Sequence, residues 1–137
     1  KYEVEVLTSC AVEYVKWQNY YKEGVEDING VTVRRFKDST RRIPKVFSAL
    51  DSEMLSNPNA GEELSDRWIE HMGPYCPELV EYVDEHQDEY EAIIVVTYLY
   101  YTAVKSIVRI KNKAIFIPTA HQEPFIHFDM YKGIRGC

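Results

Sequence analysis

The sequence predicts an α/β fold, a Rossmann-like three-layer domain built on one mainly parallel sheet. Segments with strand periodicity alternate with segments of helical periodicity, which is the order of parallel strands joined by right-handed crossovers. A β-branched run at 92–97 is typical of a strand buried on both faces of a parallel sheet, so it is predicted to be central. The 137 residues, 45% hydrophobic and 28% charged, suit a single domain over 1–137.

Strands are predicted where apolar and polar residues alternate or where β-branched residues cluster. Between the first two strands, the aromatic spacing at 11–21 predicts a turn-rich or helical segment whose rings pack against the sheet. Asn29 and Gly30 form a turn signal before the second strand, because both tolerate positive φ. The predicted strands cover 2–7, 31–36, 92–97 and 114–117.

Helices are predicted where apolar residues recur every three or four positions between turn signals. Pro44 and Pro77 each suit the first position of a helix. Thr102 is predicted to cap the helix that follows the third strand. The predicted helices cover 44–55, 62–72, a segment starting at 77, 102–110 and 125–131.

Composition excludes several classes of protein. Sixteen Lys and Arg against 22 Asp and Glu give a net charge of −6, so the electrostatic footprint of a nucleic-acid binder is missing. No apolar run approaches the roughly 20 residues of a membrane-spanning helix.

Three cysteines without CxxC spacing favour a reducing, cytoplasmic setting. The chain opens without Met and within a strand pattern, so we expect an excerpt of a larger protein.

Polar, basic and aromatic residues follow the predicted strands, at the sheet edge where α/β proteins bind ligands. Five of the sixteen basic residues fall between positions 34 and 42. They indicate either a solvated loop or a site for an anionic ligand or acidic surface. The candidate anion-binding residues are Arg34, Arg35, Arg41 and Arg42.

His121 is the strongest catalytic candidate, because a histidine at a strand end can donate to a phosphate or a sugar hydroxyl. Glu123 could orient the His121 imidazole, or its carboxylate could instead stabilise the first turn of the last helix through the helix dipole. Tyr98, Tyr100 and Tyr101 could stack on sugars or simply pack.

Other chemistries find less support in the sequence. The histidines lack metal-ligand spacing, so no metal and no cofactor is assigned. Cys10 could pair with His121 in a hydrolase, but the chain has no nucleophile elbow and no papain-like signature. Neither a GxGxxG motif nor a P-loop occurs.

The order of several short motifs resembles the amino-terminal half of bacterial GT4-type glycosyltransferases, which are retaining enzymes with a GT-B fold. The matching stretches lie at 6–11, 17–24, 29–36, 73–79, 98–100 and 118–124, and the last is the proline-to-proline segment around His121.

The resemblance implies a Rossmann-like domain that holds a glycan or lipid-linked acceptor, while a second, carboxyl-terminal domain holds the nucleotide-sugar. It places His121 at the domain cleft, close to the transferred sugar, and puts Thr8 and Tyr100 on positions that line the cleft. It implies metal-independent transfer with retention, often in cell-envelope polysaccharide synthesis, at a cytoplasmic site that includes the inner-membrane surface.

The chain departs from the family pattern, since the usual first strand with its Gly-rich loop and the carboxyl-terminal domain are absent. We therefore expect no turnover by these 137 residues alone. We also expect a gap in the sheet between the strands at Val4 and Ile94, with a homodimer or strand exchange filling it. The alternative function is a non-catalytic α/β ligand-binding or interaction module.

Overall fold

The computed structural model describes residues 2–134, which form a mixed α/β fold with four α-helices and two small β-sheets. Short 3₁₀ turns cover Gln87–Glu89, Pro124–His127 and Asp129–Tyr131. The main elements are β1 (Glu5–Ser9), β2 (Gly24–Ile28), β3 (Val31–Phe36), α1 (Pro44–Ser56), α2 (Glu62–Met72), α3 (Pro77–His86), β4 (Ile93–Val96), α4 (Tyr101–Ile107) and β5 (Ala114–Ile117).

The first sheet has the strand order β1-β3-β2, with β1 parallel and β2 antiparallel to β3. β2 was not predicted, although it forms a hairpin with β3 through the Asn29-Gly30 turn. Both turn residues have positive φ, 54° and 82°, and Asp27 Oδ1 accepts a hydrogen bond from the Gly30 N–H at 3.0 Å.

The second sheet contains only β4 and β5, which are parallel. The prediction of a central strand at 92–97, buried on both faces, is wrong. β4 is an edge strand in which Val95 is buried, whereas Ile94 and Val96 are 61% and 55% exposed. The core lies against the face of β4 that bears Val95. On the other face, the described residues leave Ile94 and Val96 largely exposed.

The helices of residues 2–134 enclose a core centred on Trp68 of α2, which is fully buried. Its indole Nε1–H donates to Asp51 Oδ1 at 3.0 Å, and the rings of Phe125 and Phe128 lie 5.6 and 5.1 Å away. The predictions for α1 and α2 are confirmed. α4 begins at Tyr101, so Thr102 does not cap it, and the helix predicted over 125–131 is two 3₁₀ turns.

The segment 11–21 is turn-rich rather than helical. The Glu13 carboxylate accepts hydrogen bonds from the N–H groups of Val15, Lys16 and Gln18 at 2.7 to 3.1 Å, which stabilises a turn at this place. Tyr14, Tyr20 and Tyr21 are exposed, while Trp17 is buried.

Cys10 and Cys76 are free and buried, and Cys137 lies outside the described residues. No helix among residues 2–134 has the length and apolar character needed to span a bilayer.

Candidate functional site

The carboxyl ends of β4 and β5 border an open cavity of about 350 Å³. Two threonines leave these strands with positive φ, Thr97 at 72° and Thr119 at 46°, a conformation that is unusual for β-branched residues. The cavity is mainly apolar. Its lining includes Tyr98, Phe116, Pro118, Ala120, Tyr131 and Ile126.

Tyr98 lines the cavity and carries a buried phenol group. Its side chain is 5% exposed, and its Oη makes no hydrogen bond of ordinary distance and angle. Burial and the neighbouring Glu123 carboxylate raise the pKa of Tyr98, so the phenol stays protonated. The structure thus brings together two of the predicted substrate-binding residues, Tyr98 and Glu123.

His121 is exposed on the loop that follows β5. Its backbone carbonyl accepts a hydrogen bond from the Glu123 N–H at 3.0 Å. Among the described residues, none hydrogen-bonds to the imidazole, and the Glu123 carboxylate lies against Tyr98 instead. Ala120, the residue before His121, lines the cavity, whereas the His121 side chain is not part of its lining and no described partner orients the imidazole.

Thr8 lies in β1, and Tyr100 lies between β4 and α4. Thr8 is half-buried in β1 opposite Arg35 of β3. The Tyr100 ring packs edge-on against Trp17, with centroids 5.2 Å apart, which links the segments that follow β1 and β4. Neither side chain hydrogen-bonds to His121 in the part of the chain that the structure describes.

Two of the four candidate anion-binding arginines are already paired within the first sheet. Arg34 Nε donates to Glu5 Oε1 at 2.8 Å, and Arg35 Nε donates to Glu26 Oε1 at 2.6 Å. Cross-strand pairing of this kind neutralises positive charge on the sheet surface. Arg41 is exposed, with φ 56°.

The Arg42 side chain binds the carboxyl end of α2. Its Nε donates to the His71 carbonyl at 2.8 Å, and its Nη2 donates to the Met72 carbonyl. The guanidinium also lies over the Phe47 ring, 4.2 Å from the centroid, and burial lowers the pKa of Arg42. These contacts satisfy carbonyls that a helix leaves free at its carboxyl end.

Asp38, which the sequence reasoning missed, organises the loop that follows β3. It is 6% exposed, and its carboxylate accepts hydrogen bonds from the N–H groups of Thr40 at 3.0 Å and Tyr75 at 2.9 Å. Asn19 bonds to both the N–H and the carbonyl of Asp38, each at 2.9 Å. An Asp followed by Ser and Thr just after a strand is a turn signal that could have predicted part of this role.

Cys10 is buried, and burial raises the pKa of its thiol, the opposite of what an activated nucleophile needs. Within residues 2–134, no group of three or more His, Cys, Asp or Glu side chains is arranged to hold a metal ion. Comparison with family models, with curated proteins and with solved structures finds no match.

Proposed function

We propose that the chain is the amino-terminal, acceptor-side part of a retaining glycosyltransferase, which moves a sugar from a nucleotide-sugar to a glycan or lipid-linked acceptor. One observation carries the proposal. The parallel strands β4 and β5 end at a shared edge, where Tyr98 and Ala120, the residue before His121, line the cavity and the Glu123 carboxylate lies beside Tyr98. Ligands of α/β sheets bind beyond the carboxyl ends of parallel strands.

Each residue has a role in this proposal. The unengaged His121 imidazole holds the donor sugar and stabilises charge as the sugar departs. The neutral Tyr98 phenol and the Glu123 carboxylate offer a donor and an acceptor for hydroxyl groups, and Thr8 and Tyr100 complete the edge. The nucleotide phosphates are met by a second domain, so the chain alone has no turnover.

The basic segment contributes less to this proposal than its composition predicts. Arg34, Arg35 and Arg42 hold internal partners, so Arg41 is the arginine of the four that is left to meet an anionic acceptor or a membrane surface. A single exposed charge adds little binding energy in water.

Nucleotide release by the intact protein that contains this chain tests the proposal. UDP-, GDP- and dTDP-sugars are offered to the wild type, to His121→Ala and to Gln122→Ala, an exposed neighbour on the same loop. We expect His121→Ala to slow release roughly 100-fold, the scale of losing one preorganised charge-stabilising group, and Gln122→Ala to leave it unchanged. Equal rates in both variants would remove His121 from the site.

A non-catalytic interaction module is the second candidate, because β1 and β4 are edge strands of their sheets and β4 exposes apolar side chains. Absence of release with every donor, in protein shown to be folded by circular dichroism, would favour this function over sugar transfer.

A further inference from the structure

The turn that joins β2 to β3 places a side-chain amide next to an uncrowded backbone nitrogen. Its two residues, Asn29 and Gly30, are exposed and have positive φ, 54° and 82°. Gly30 has no side chain to cover its own nitrogen, and a Cβ added there would meet no atom within 4 Å. The amide carbon of Asn29 and the nitrogen of Gly30 can therefore react with each other when the turn opens.

The side-chain amide of Asn29 is free, since no residue among 2–134 hydrogen-bonds to it. Asn19 is also exposed, but its amide bonds to both the N–H and the carbonyl of Asp38, each at 2.9 Å. Asn112 is exposed and is followed by Lys113, whose side chain crowds the next backbone nitrogen. Asn29 thus combines a free amide with an uncrowded neighbouring nitrogen.

Asp27 restrains the nitrogen that would attack. Its Oδ1 accepts a hydrogen bond from the Gly30 N–H at 3.0 Å. The nitrogen attacks a carbonyl carbon only after it has lost this proton, and a hydrogen bond to a carboxylate stabilises the protonated form. The negative charge of Asp27 also disfavours an amide anion beside it. The closed turn is therefore the unreactive state of the pair.

We propose that Asn29 is a site of spontaneous deamidation, and that Asp27 limits its rate by holding the Gly30 N–H. When this hydrogen bond opens, the Gly30 nitrogen gives its proton to solvent and bonds to Cγ of Asn29. The side-chain nitrogen takes up a proton and leaves as ammonia, so that a succinimide ring remains. Water then opens the ring at either carbonyl and yields aspartate or isoaspartate. Water is the only co-reactant, and nothing is oxidised or reduced.

The products change the hairpin that carries the turn. Each adds one negative charge close to Asp27, on a chain whose net charge is already −6. Isoaspartate also lengthens the backbone by one carbon, which the tight turn between β2 and β3 does not accommodate. β2 pairs only with β3 within residues 2–134, and all five of its residues are exposed. Isoaspartate at position 29 therefore loosens β2.

Loosening of β2 also affects Arg35, one of the candidate anion-binding residues. Its partner Glu26 lies on β2, with Arg35 Nε and Glu26 Oε1 2.6 Å apart. Release of β2 would leave the Arg35 guanidinium without this carboxylate. The inference rests on the geometry of the hairpin and is independent of sugar transfer.

Peptide mapping by mass spectrometry tests the site in the intact protein that contains this chain, incubated at neutral pH. We expect Asn29 to convert faster than Asn112 in the same sample. Asp27→Ala should speed conversion about fivefold, the factor that corresponds to one hydrogen bond. Glu53→Ala, which removes an exposed carboxylate from α1, is the matched control and should leave the rate unchanged.

Hydrogen–deuterium exchange tests the effect on the hairpin. The isoaspartate form is separated from the unmodified protein by ion exchange, which the added charge permits. We expect the amides of β2 to exchange faster in this form, whereas the amides of β5, in the other sheet, keep their rates.

Four results would overturn parts of the proposal. Equal conversion at Asn29 and Asn112 in the wild type would show that the turn is not a site. Slower conversion in Asp27→Ala would make the carboxylate a base that promotes attack, and an unchanged rate would remove its control. Unchanged exchange in β2 would show that the hairpin tolerates the product. If circular dichroism shows that Asp27→Ala unfolds, the comparison of the two asparagines in the wild type still decides whether Asn29 is the site.

Discussion

Gly73, the residue that follows α2, is the position where one methyl group should disturb the fold most. Its backbone has φ 67° and ψ −165°, a region that glycine alone adopts readily. A Cβ at this position would lie 2.5 Å from Nε1 and 2.6 Å from Cδ1 of the Trp17 indole. Gly73→Ala therefore strains the backbone and displaces a buried ring at once.

The expected cost of Gly73→Ala has two parts. The backbone strain is about 1–3 kcal/mol. Displacing the indole breaks the hydrogen bond from Trp17 Nε1–H to the Met72 carbonyl, 2.7 Å long, which adds about 1 kcal/mol. The sum, about 2–4 kcal/mol, is a large share of the roughly 5–15 kcal/mol by which a domain is stable.

Urea unfolding followed by tryptophan fluorescence measures this cost. With an m-value of about 2 kcal/mol/M, the midpoint should fall by about 1–2 M. Gly30→Ala is the matched control, because Gly30 has φ 82° but no atom within 4 Å of the added Cβ, so it carries strain without a clash. In a Trp17→Ala background, the cost of Gly73→Ala should drop to that of Gly30→Ala. Equal costs for the two glycine variants in the wild-type background would refute the clash.

Three further predictions concern stability. Arg42→Lys should lower the free energy of unfolding, measured by thermal unfolding, by about 1–3 kcal/mol, because lysine cannot reproduce the paired donation to two carbonyls. The exposed Arg41→Lys should leave this free energy unchanged, and equal melting temperatures for the two variants would contradict the prediction. Asp38→Asn should cost about 1–3 kcal/mol in urea, since an amide offers one acceptor oxygen where the N–H groups of Thr40 and Tyr75 need two; an unchanged midpoint would argue against it. Burial raises the pKa of the Cys76 thiol from 9.0 to about 12, so the unfolded chain loses this proton at lower pH than the native one, and stability should fall as pH rises through this window. Cys76→Ala should flatten that dependence, and parallel pH profiles for both proteins would exclude the thiol as a cause.

Local signals predicted most elements of secondary structure. Pro44 and Pro77 open α1 and α3, and the run at 114–117 is β5. β2 was missed because three of its five residues, Gly24, Glu26 and Asp27, are unfavourable in strands, although the Asn29-Gly30 turn implied a preceding strand. The segment at 11–21 was predicted to be turn-rich or helical, and it is turn-rich. The Glu13 carboxylate bonds three backbone N–H groups there, and aromatic spacing carries no information about such bonds.

The candidate site was predicted less completely, because a side chain's partners depend on strand register. Arg34 and Arg35 read as an available basic patch in sequence, but β1 places Glu5 beside Arg34, and β2 places Glu26 beside Arg35. The contact of Tyr98 with Glu123 likewise depends on how the loop after β5 returns to β4. A cluster of charged residues in the sequence therefore shows which charges are present, and it does not show which of them form ion pairs in the folded protein.

The exposed face of β4 shows what a hydrophobic sequence pattern can predict and what it cannot. The run at 93–96 has the composition of a strand buried on both faces, yet Ile94 and Val96 are uncovered within residues 2–134. A hydrophobic pattern in the sequence indicates which side chains are stabilised by burial. It does not indicate whether the atoms that cover them belong to the same segment of the chain. Val6 on β1 shares this exposure, and β1, like β4, lies at the edge of its sheet. Apolar exposure thus occurs on edge strands of both sheets, where a single-sequence pattern cannot distinguish an edge from a central position.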